Sequence, residues 1–387
     1  MKILHVIPSM DPASGGPPMI AARFAAAQSM LGCEMQIIAY EFPKAEARIA
    51  EALKTIPHID NVKLKYLPPL TKAERFFARG ARHRLEPILQ QFDLIHLHGV
   101  WDPIIYAASF VARKLQKPYV ITLHGMLEPW SLGQKRLKKK IALALGYKEM
   151  LSKAAFLHCG TADERDVTET LHLNSPTKIV PNGIFLEEID PLPEKGSFRA
   201  QHPEFAAAQY VLFLSRLHHQ KGLDILGEAF AIVAREFPAA HLVIAGPDYG
   251  ARASFETQIA ILGIAPRVHL IGPLYGAQKL GALRDCDCFC LPSRHEGFSV
   301  AVLEALACQA PVVITPGCHF PEVRESGSGI IADLNATSIA EGIATMLRDP
   351  ATARQMGQTG RKLVIDRYTW PQAAALLISG YREVLGK

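Results

Sequence analysis

The chain has 387 residues, enough for two domains of ordinary size, and its 49% hydrophobic and 20% charged residues are those of a globular protein. A net charge of +5 is mild: it suits anionic ligands or an anionic membrane face, and no nucleic-acid partner is expected. Seven scattered cysteines argue against a disulfide framework and for a reduced, cytoplasmic protein; no apolar run reaches the length of a membrane span, and Met1-Lys2 leads straight into the strand-like Ile3–Ile7, which leaves no room for a signal peptide.

The first half alternates apolar strands, predicted at 2–7, 35–40, 62–67, 93–97, 118–123, 155–159 and 177–180, with helices predicted at 17–31, 72–91, 103–115, 135–152 and 161–171. This alternation predicts an α/β fold, a parallel sheet covered on both faces with its ligands at the carboxyl ends of the strands. The loops there hold the chemistry. Gly15-Gly16 after the first strand reads as a plain turn or as backbone that approaches a ligand closely. His96 and His98 share a strand face, but no third metal ligand is evident at a suitable spacing. No metal is therefore expected, and the pair reads as pocket-lining. Trp101, beside Asp102, is a sugar platform or a core residue. His124-Gly125 ends the fifth strand. The basic segment that follows, 134–152, begins Gln134-Lys135-Arg136-Leu137-Lys138-Lys139-Lys140; with Arg75, Arg79, Arg82 and Arg84 it makes either a solvated face or a surface resting on an anionic leaflet. Thr161-Ala162-Asp163-Glu164 reads as a structural capping box. Pro181-Asn182-Gly183 is a sharp turn, and the proline-bearing stretch 185–207 reads as a linker.

The second half restarts the alternation, with strands predicted at 209–215, 241–245, 267–271, 287–291, 311–314 and 329–332. Arg216 and Lys221 follow its first strand and flank the start of a helix predicted from Leu223; two fixed cations near a helix N-terminus are what a diphosphate needs. Asp285-x-Asp287 lies at a helix-to-strand junction, where a metal motif is not expected. Cys286, Cys288 and Cys290 read as small buried hydrophobes. The most telling stretch is Ser293-Arg294-His295-Glu296-Gly297-Phe298-Ser299-Val300-Ala301-Val302-Leu303-Glu304. It is a strand, a polar loop and a helix opening at Ser299, bracketed by two carboxylates suited to sugar and ribose hydroxyls. Three helices, at 336–348, 351–367 and 370–385, close the chain.

Glu296-x7-Glu304 with Gly297-Phe298 between, Arg216-x4-Lys221-Gly222, Pro181-Asn182-Gly183, Gly15-Gly16 and His124-Gly125 together resemble the retaining GT-B glycosyltransferases of the family 4 type, over nearly the whole chain. His124-Gly125-Met126-Leu127-Glu128-Pro129-Trp130 is similar to a bacterial branch that builds exopolysaccharide, capsule or O-antigen. The resemblance implies two Rossmann-like domains facing across a cleft: an acceptor-binding one at 1–190 plus 370–387, completed by the final helix crossing back, and a nucleotide-sugar-binding one at 191–369. It implies a metal-independent transfer from a nucleoside diphosphate sugar, GDP- or UDP-linked, to a glycan or lipid-linked acceptor, with no cofactor. In those terms Arg216 and Lys221 neutralise the leaving diphosphate. Glu304 holds the ribose and Glu296 the sugar hydroxyls, with the backbone of Gly297, Phe298, Ser299 and Val300. Gly15 and Gly16 lie against the phosphates, Gly246 shapes the cleft, and the segment around Leu270 receives the base. His124 orients the sugar, and His98, Trp101 and Asp102 are assigned to the acceptor. An epimerase or phosphorylase on the same fold, or a non-catalytic nucleotide-sugar scaffold, is the rival reading. The expected place of work is the cytoplasm, or the inner face of the cytoplasmic membrane.

Overall fold

The computed structural model describes residues 1–68 and 79–386. They form two compact units, Met1–Phe185 with Trp370–Lys387, and Leu186–Thr369.

In the first unit seven strands, β1 (Lys2–Val6), β2 (Glu34–Tyr40), β3 (Val62–Leu67), β4 (Leu94–His98), β5 (Tyr119–Thr122), β6 (Phe156–Cys159) and β7 (Thr177–Ile179), lie in the order β3-β2-β1-β4-β5-β6-β7. All neighbouring pairs are parallel. β4, β5 and β6 are buried along their whole length, because helices cover both faces; this is why they read as near-continuous apolar runs. The pleat sends Leu4, Ile95, Leu97, Ile121 and Leu157 into one core, shared with the helices Arg79–Leu89 and Pro103–Lys114. Ile3, Leu94, Val120 and Phe156 enter the other, beneath Pro17–Met30 and the last helix, Trp370–Leu385. Those two helices pack on each other, with the Phe24 and Trp370 rings edge to face at 4.8 Å. The final helix thus belongs to the first unit.

In the second unit β8 (Tyr210–Leu214), β9 (His241–Ala245), β10 (Val268–Gly272), β11 (Cys288–Leu291), β12 (Val312–Ile314) and β13 (Gly329–Ile331) form a six-stranded parallel sheet, ordered β10-β9-β8-β11-β12-β13. Both sheets are doubly wound, as the alternation predicts. Their strand order reverses between β1 and β4 in one and between β8 and β11 in the other. A crevice opens at such a reversal because the flanking loops diverge to opposite faces.

Some expectations need correction. The helix expected over 72–91 is seen from Arg79 to Leu89; its earlier part, Arg75 included, lies outside the described residues. The single helix expected over 135–152 is broken into Arg136–Ala142 and Lys148–Ser152, and a separate short helix, Pro129–Gly133, precedes them. Lys135 (φ 52°) and Gly146 (φ 115°) take left-handed backbone, which no α-helix carries. A helix at Glu46–Lys54 was not expected; it buries only Ile49 and Leu53. Cys286, Cys288 and Cys290 are free and buried, as read from the sequence.

Candidate functional site

The loops at the β8/β11 reversal converge on a buried ion pair. Lys221 sits in the short turn His219–Lys221 rather than in the helix itself, which begins at Leu223 behind a left-handed Gly222 (φ 72°). A Cβ on Gly222 would stand 1.9 Å from the Pro292 carbonyl oxygen, so only glycine lets the β8 loop lie this close to the β11 loop. Across that contact both carboxylate oxygens of Glu296 lie 2.5 Å from Lys221 Nζ, and the Ser293 hydroxyl donates to Glu296 Oε1 at 2.6 Å. Lys221 and Glu296 are 7% and 9% exposed, so this pair is largely out of water. Arg294, the next residue along, forks onto Asp224 at 2.7–2.8 Å and donates to the His219 carbonyl, tying the same two loops together again. Arg216, the other predicted phosphate ligand, is exposed and lies over the Tyr249 ring, 5.2 Å from its centroid.

Glu304 takes a different partner. It lies in the helix Val300–Ala307 and accepts from Lys279 Nζ at 2.7 Å. Lys279 comes from the helix Gly276–Asp285, and sequence reasoning missed it: no local pattern ties it to a carboxylate 25 residues on. Ser299 occupies the N-cap position but its side chain makes no capping bond. Gly297 and Val300 are exposed, and Phe298 leans on Phe320 and Tyr368, with centroids 5.6 and 6.2 Å away. Gly246 ends β9 at φ 150°; a Cβ there would meet the Ser215 carbonyl oxygen at 1.8 Å, which gives this glycine a packing reason of its own. Leu270 is half-buried in β10.

In the first unit the β1/β4 reversal holds a pocket of about 340 Å³. Its walls include Ser14 from the loop after β1, Pro17 and Pro18 from the start of the helix that follows, His98 from the end of β4, and Trp101, Asp102 and Met126 from the loops after β4 and β5. Gly15 (φ 115°) and Gly16, the N-cap of the helix Pro17–Met30, are exposed beside those wall residues in the chain. Trp101 donates from Nε1 to the Met126 carbonyl at 3.1 Å, and Asp102 accepts from Ile104 N–H as the N-cap of Pro103–Lys114. Both residues therefore have structural partners while lining the pocket.

His124 follows β5 with φ 54°. Gly125 N–H donates to Glu164 Oε1, and Gly160 N–H donates to Glu164 Oε2 at 2.7 Å. The capping box is thus only half formed. Thr161 caps Glu164 N–H at 3.3 Å, but the Glu164 carboxylate leaves its own helix to hold the His124–Gly125 turn. Burial pushes this carboxyl up to about 7, against the pull of the two backbone N–H groups.

Behind His124 runs a buried polar row that the sequence showed only in fragments. His124 Nε2 lies 3.1 Å from His98 Nδ1, and His98 Nε2 lies 2.9 Å from His5 Nδ1. His5 Nε2 meets Gln28 Oε1 at 2.9 Å, and Gln28 Nε2 reaches the Tyr381 hydroxyl at 3.1 Å. That hydroxyl lies 2.6 Å from His96 Nδ1, and His96 Nε2 lies 2.6 Å from Thr122 Oγ1. Thr122 Oγ1 lies 2.7 Å from His158 Nδ1, and His158 Nε2 lies 2.8 Å from the Val180 carbonyl oxygen. Burial lowers every histidine here: His5 and His124 to about 3, His158 to about 4, His96 and His98 well below their usual range. All five stand neutral at pH 7. His5 is the third histidine that the spacing of His96 and His98 did not reveal. It comes from β1, which lies beside β4, and the ligand atoms of the three approach within 4.8 Å of one another.

Residues 14–188 match the family model described as Glycosyltransferase Family 4, and residues 194–363 the model described as Glycosyl transferases group 1. The D-inositol 3-phosphate glycosyltransferase of Segniliparus rotundus is 28% identical over 284 residues, 71% of this chain but only 63% of that protein's length. The phosphatidyl-myo-inositol mannosyltransferase of Mycobacterium leprae is 22% identical over 407 residues, covering 99% of this chain and 97% of that one. The crystal structure of Anabaena Alr3699/HepE in complex with UDP is similar with a TM-score of 0.79 at 18% identity, over 98% of this chain and 99% of that one.

Proposed function

Because this chain belongs to glycosyltransferase family 4 and has the GT-B fold, we propose that it moves a sugar, with retention, from a nucleoside diphosphate to a glycan or lipid-linked acceptor in cell-surface polysaccharide synthesis. The observation that carries the donor half is the Lys221–Glu296–Ser293 cluster at the strand reversal of the second unit. An ammonium has three N–H donors. Two meet Glu296, and the third serves a phosphate oxygen of the donor. Glu296 thereby holds Lys221 in place and keeps lone pairs for the hydroxyls of the transferred sugar. Arg216, exposed over Tyr249, closes on the diphosphate; together the two cations stabilise charge that builds as the phosphate leaves, which needs no metal. Glu304, held by Lys279, takes the ribose. The backbone of Gly297 to Val300 serves the sugar, Gly15 and Gly16 approach the phosphates, and the β9–β10 ends, with Gly246 and Leu270, receive the base. His124 orients the sugar. In these terms residues 1–190 with 370–387 bind the acceptor, in the pocket of His98, Trp101 and Asp102, and residues 191–369 bind the donor.

The UDP in the Anabaena structure favours a UDP-sugar as donor, with GDP-sugars next. The inositol in the names of both relatives favours a hydroxyl-rich acceptor, and the phosphatidyl-myo-inositol in the name of the Mycobacterium leprae one favours an acceptor carried on a lipid. Thermal stabilisation by a panel of UDP-, GDP-, ADP- and TDP-sugars tests the donor site, since a ligand that binds only the folded state raises the melting point by mass action. We expect one base class to stabilise the protein, and Arg216→Ala and Glu304→Ala to lose that shift. No shift at millimolar ligand would sink the donor assignment and bring the epimerase, phosphorylase and scaffold readings forward.

A membrane-surface role is supported by the segment 134–152. Leu137, Ile141 and Leu145 are 72%, 50% and 73% exposed, beside exposed Arg136, Lys138 and Lys140. Among the described residues no helix is long and apolar enough to cross a membrane. Apolar side chains flanked by cations suit the interface of an anionic leaflet. The protein should sediment with phosphatidylglycerol vesicles and much less with phosphatidylcholine ones, and Leu137→Glu/Ile141→Glu should abolish that binding; equal sedimentation of wild type and variant would refute it.

A further inference from the structure

The buried row behind His124 can be given a direction. A carbonyl oxygen only accepts, so His158 donates from Nε2 to Val180. A neutral imidazole that donates from one nitrogen accepts at the other, so Thr122 donates its hydroxyl proton to His158 Nδ1. That hydroxyl's proton is then spent, and its oxygen accepts from His96 Nε2–H. His96 Nδ1 accepts the Tyr381 O–H, and the Tyr381 oxygen accepts from the Gln28 amide. Gln28 Oε1 accepts from His5 Nε2–H, His5 Nδ1 accepts from His98 Nε2–H, and His98 Nδ1 accepts from His124 Nε2–H. Eight hydrogen bonds are consistent with one orientation and no other. The register of the sheet makes the row possible: His5 lies opposite His96, His98 opposite Thr122, and Thr122 opposite His158, all on the face beneath the helices that supply Gln28 and Tyr381.

We propose that this directed chain, anchored on the Val180 carbonyl, fixes His124 as its Nε2–H tautomer and leaves its Nδ1 as the acceptor for a substrate hydroxyl. Tyr381 and Gln28 are then positioning residues for a histidine they never touch. The chain carries orientation and not protons, because the Gln28 amide at its centre reverses only by flipping as a whole. The five histidines share the neutral state this requires, their burial holding each below its usual range. The same chain answers the alternative use of the site. All six ring nitrogens of His5, His96 and His98 already have hydrogen-bond partners, so a metal ion would have to break the row.

The statement about the substrate hydroxyl rests on the reading of His124 as sugar-facing; the statement about the tautomer does not. Two-bond ¹H–¹⁵N correlation of the histidine-labelled full chain, without ligand, tests the tautomer, with the His124 signals assigned by their loss in His124→Gln. We expect Nε2–H, with an unprotonated Nδ1, in the wild type. Tyr381→Phe removes both the donor to His96 and the acceptor of Gln28, and should release His124 into a tautomer mixture. Gln28→Met should do the same by cutting the next link, and serves if Tyr381→Phe does not fold. An Nδ1–H tautomer in the wild type, an unchanged tautomer in the folded variants, or a stoichiometric metal ion bound to the three histidines would overturn the proposal. Unchanged turnover in His124→Gln would instead remove the catalytic reading and leave the chain intact.

Discussion

Lys221→Met should lower stability by about 3–5 kcal/mol, because it leaves Glu296 buried without its counter-ion. Turnover should fall by roughly 10²–10³, the range seen when a group that stabilises transition-state charge is removed. These two losses have different causes and can be separated. Lys221→Met/Glu296→Gln replaces the ion pair by a neutral one and keeps an oxygen for the Ser293 hydroxyl. It should regain most of the stability and none of the turnover. Urea melts and donor consumption read the two quantities. A double variant no more stable than the single one would show that the pair is not an energetic unit, and near-normal turnover in Lys221→Met would remove the lysine from the chemistry.

Acid should unfold the first unit well before it titrates ordinary carboxylates. A free histidine titrates near 6.5, whereas His5 and His124 lie at about 3 and His158 at about 4. As pH falls below 6.5 the unfolded chain takes up protons that the folded chain refuses, so stability is complete above 6.5 and is lost from there downward. Between pH 7 and pH 5 each such histidine costs about 2 kcal/mol, or about 6 kcal/mol for the three. Glu164 works the other way. Its folded value, raised to about 7, means that the folded state binds the proton first, which returns about 2 kcal/mol over the same interval. The net loss of about 4 kcal/mol from these four groups is a large part of a typical domain's stability. His96 and His98 add to it in the same direction. Denaturant melts at pH 7, 6 and 5 should show a falling midpoint; a midpoint that holds or rises toward pH 5 would mean that the histidine row opens to water.

What could be read from the sequence follows from how local each signal is. The strands were found to within a residue or two because an apolar run of that length, between turn residues, has few other homes. The helix Glu46–Lys54 was missed because two buried apolar residues one turn apart do not make a period, and 135–152 was read as one helix because a single glycine, Gly146, inside an apolar run is tolerated by a helix as readily as it ends one. At the site, Lys221, Glu296 and Glu304 stood out by their likeness to the family's donor motifs. Their pairing did not: Lys221 and Glu296 are 75 residues apart, and Lys279 has no motif to announce it. Glu164 looked like a helix cap, and in part it is one; its second task, at Gly125, depends on β5 and β6 being neighbours. His5 is invisible as a partner of His96 until the strand order places β1 beside β4.

The last helix sets the order in which the molecule is finished. Tyr381 bonds Gln28 across 353 residues of chain and His96 across 285. During synthesis the whole second unit emerges before this helix does, with every residue needed for its own core. The first unit begins earlier and ends later. Until residues 370–385 leave the ribosome, the face of β1, β4, β5 and β6 that Trp370, Leu377 and Tyr381 cover lacks their cover, and its histidines and apolar side chains meet water or a chaperone instead. Of the two units, the one whose strands are translated earlier is therefore the one that completes later.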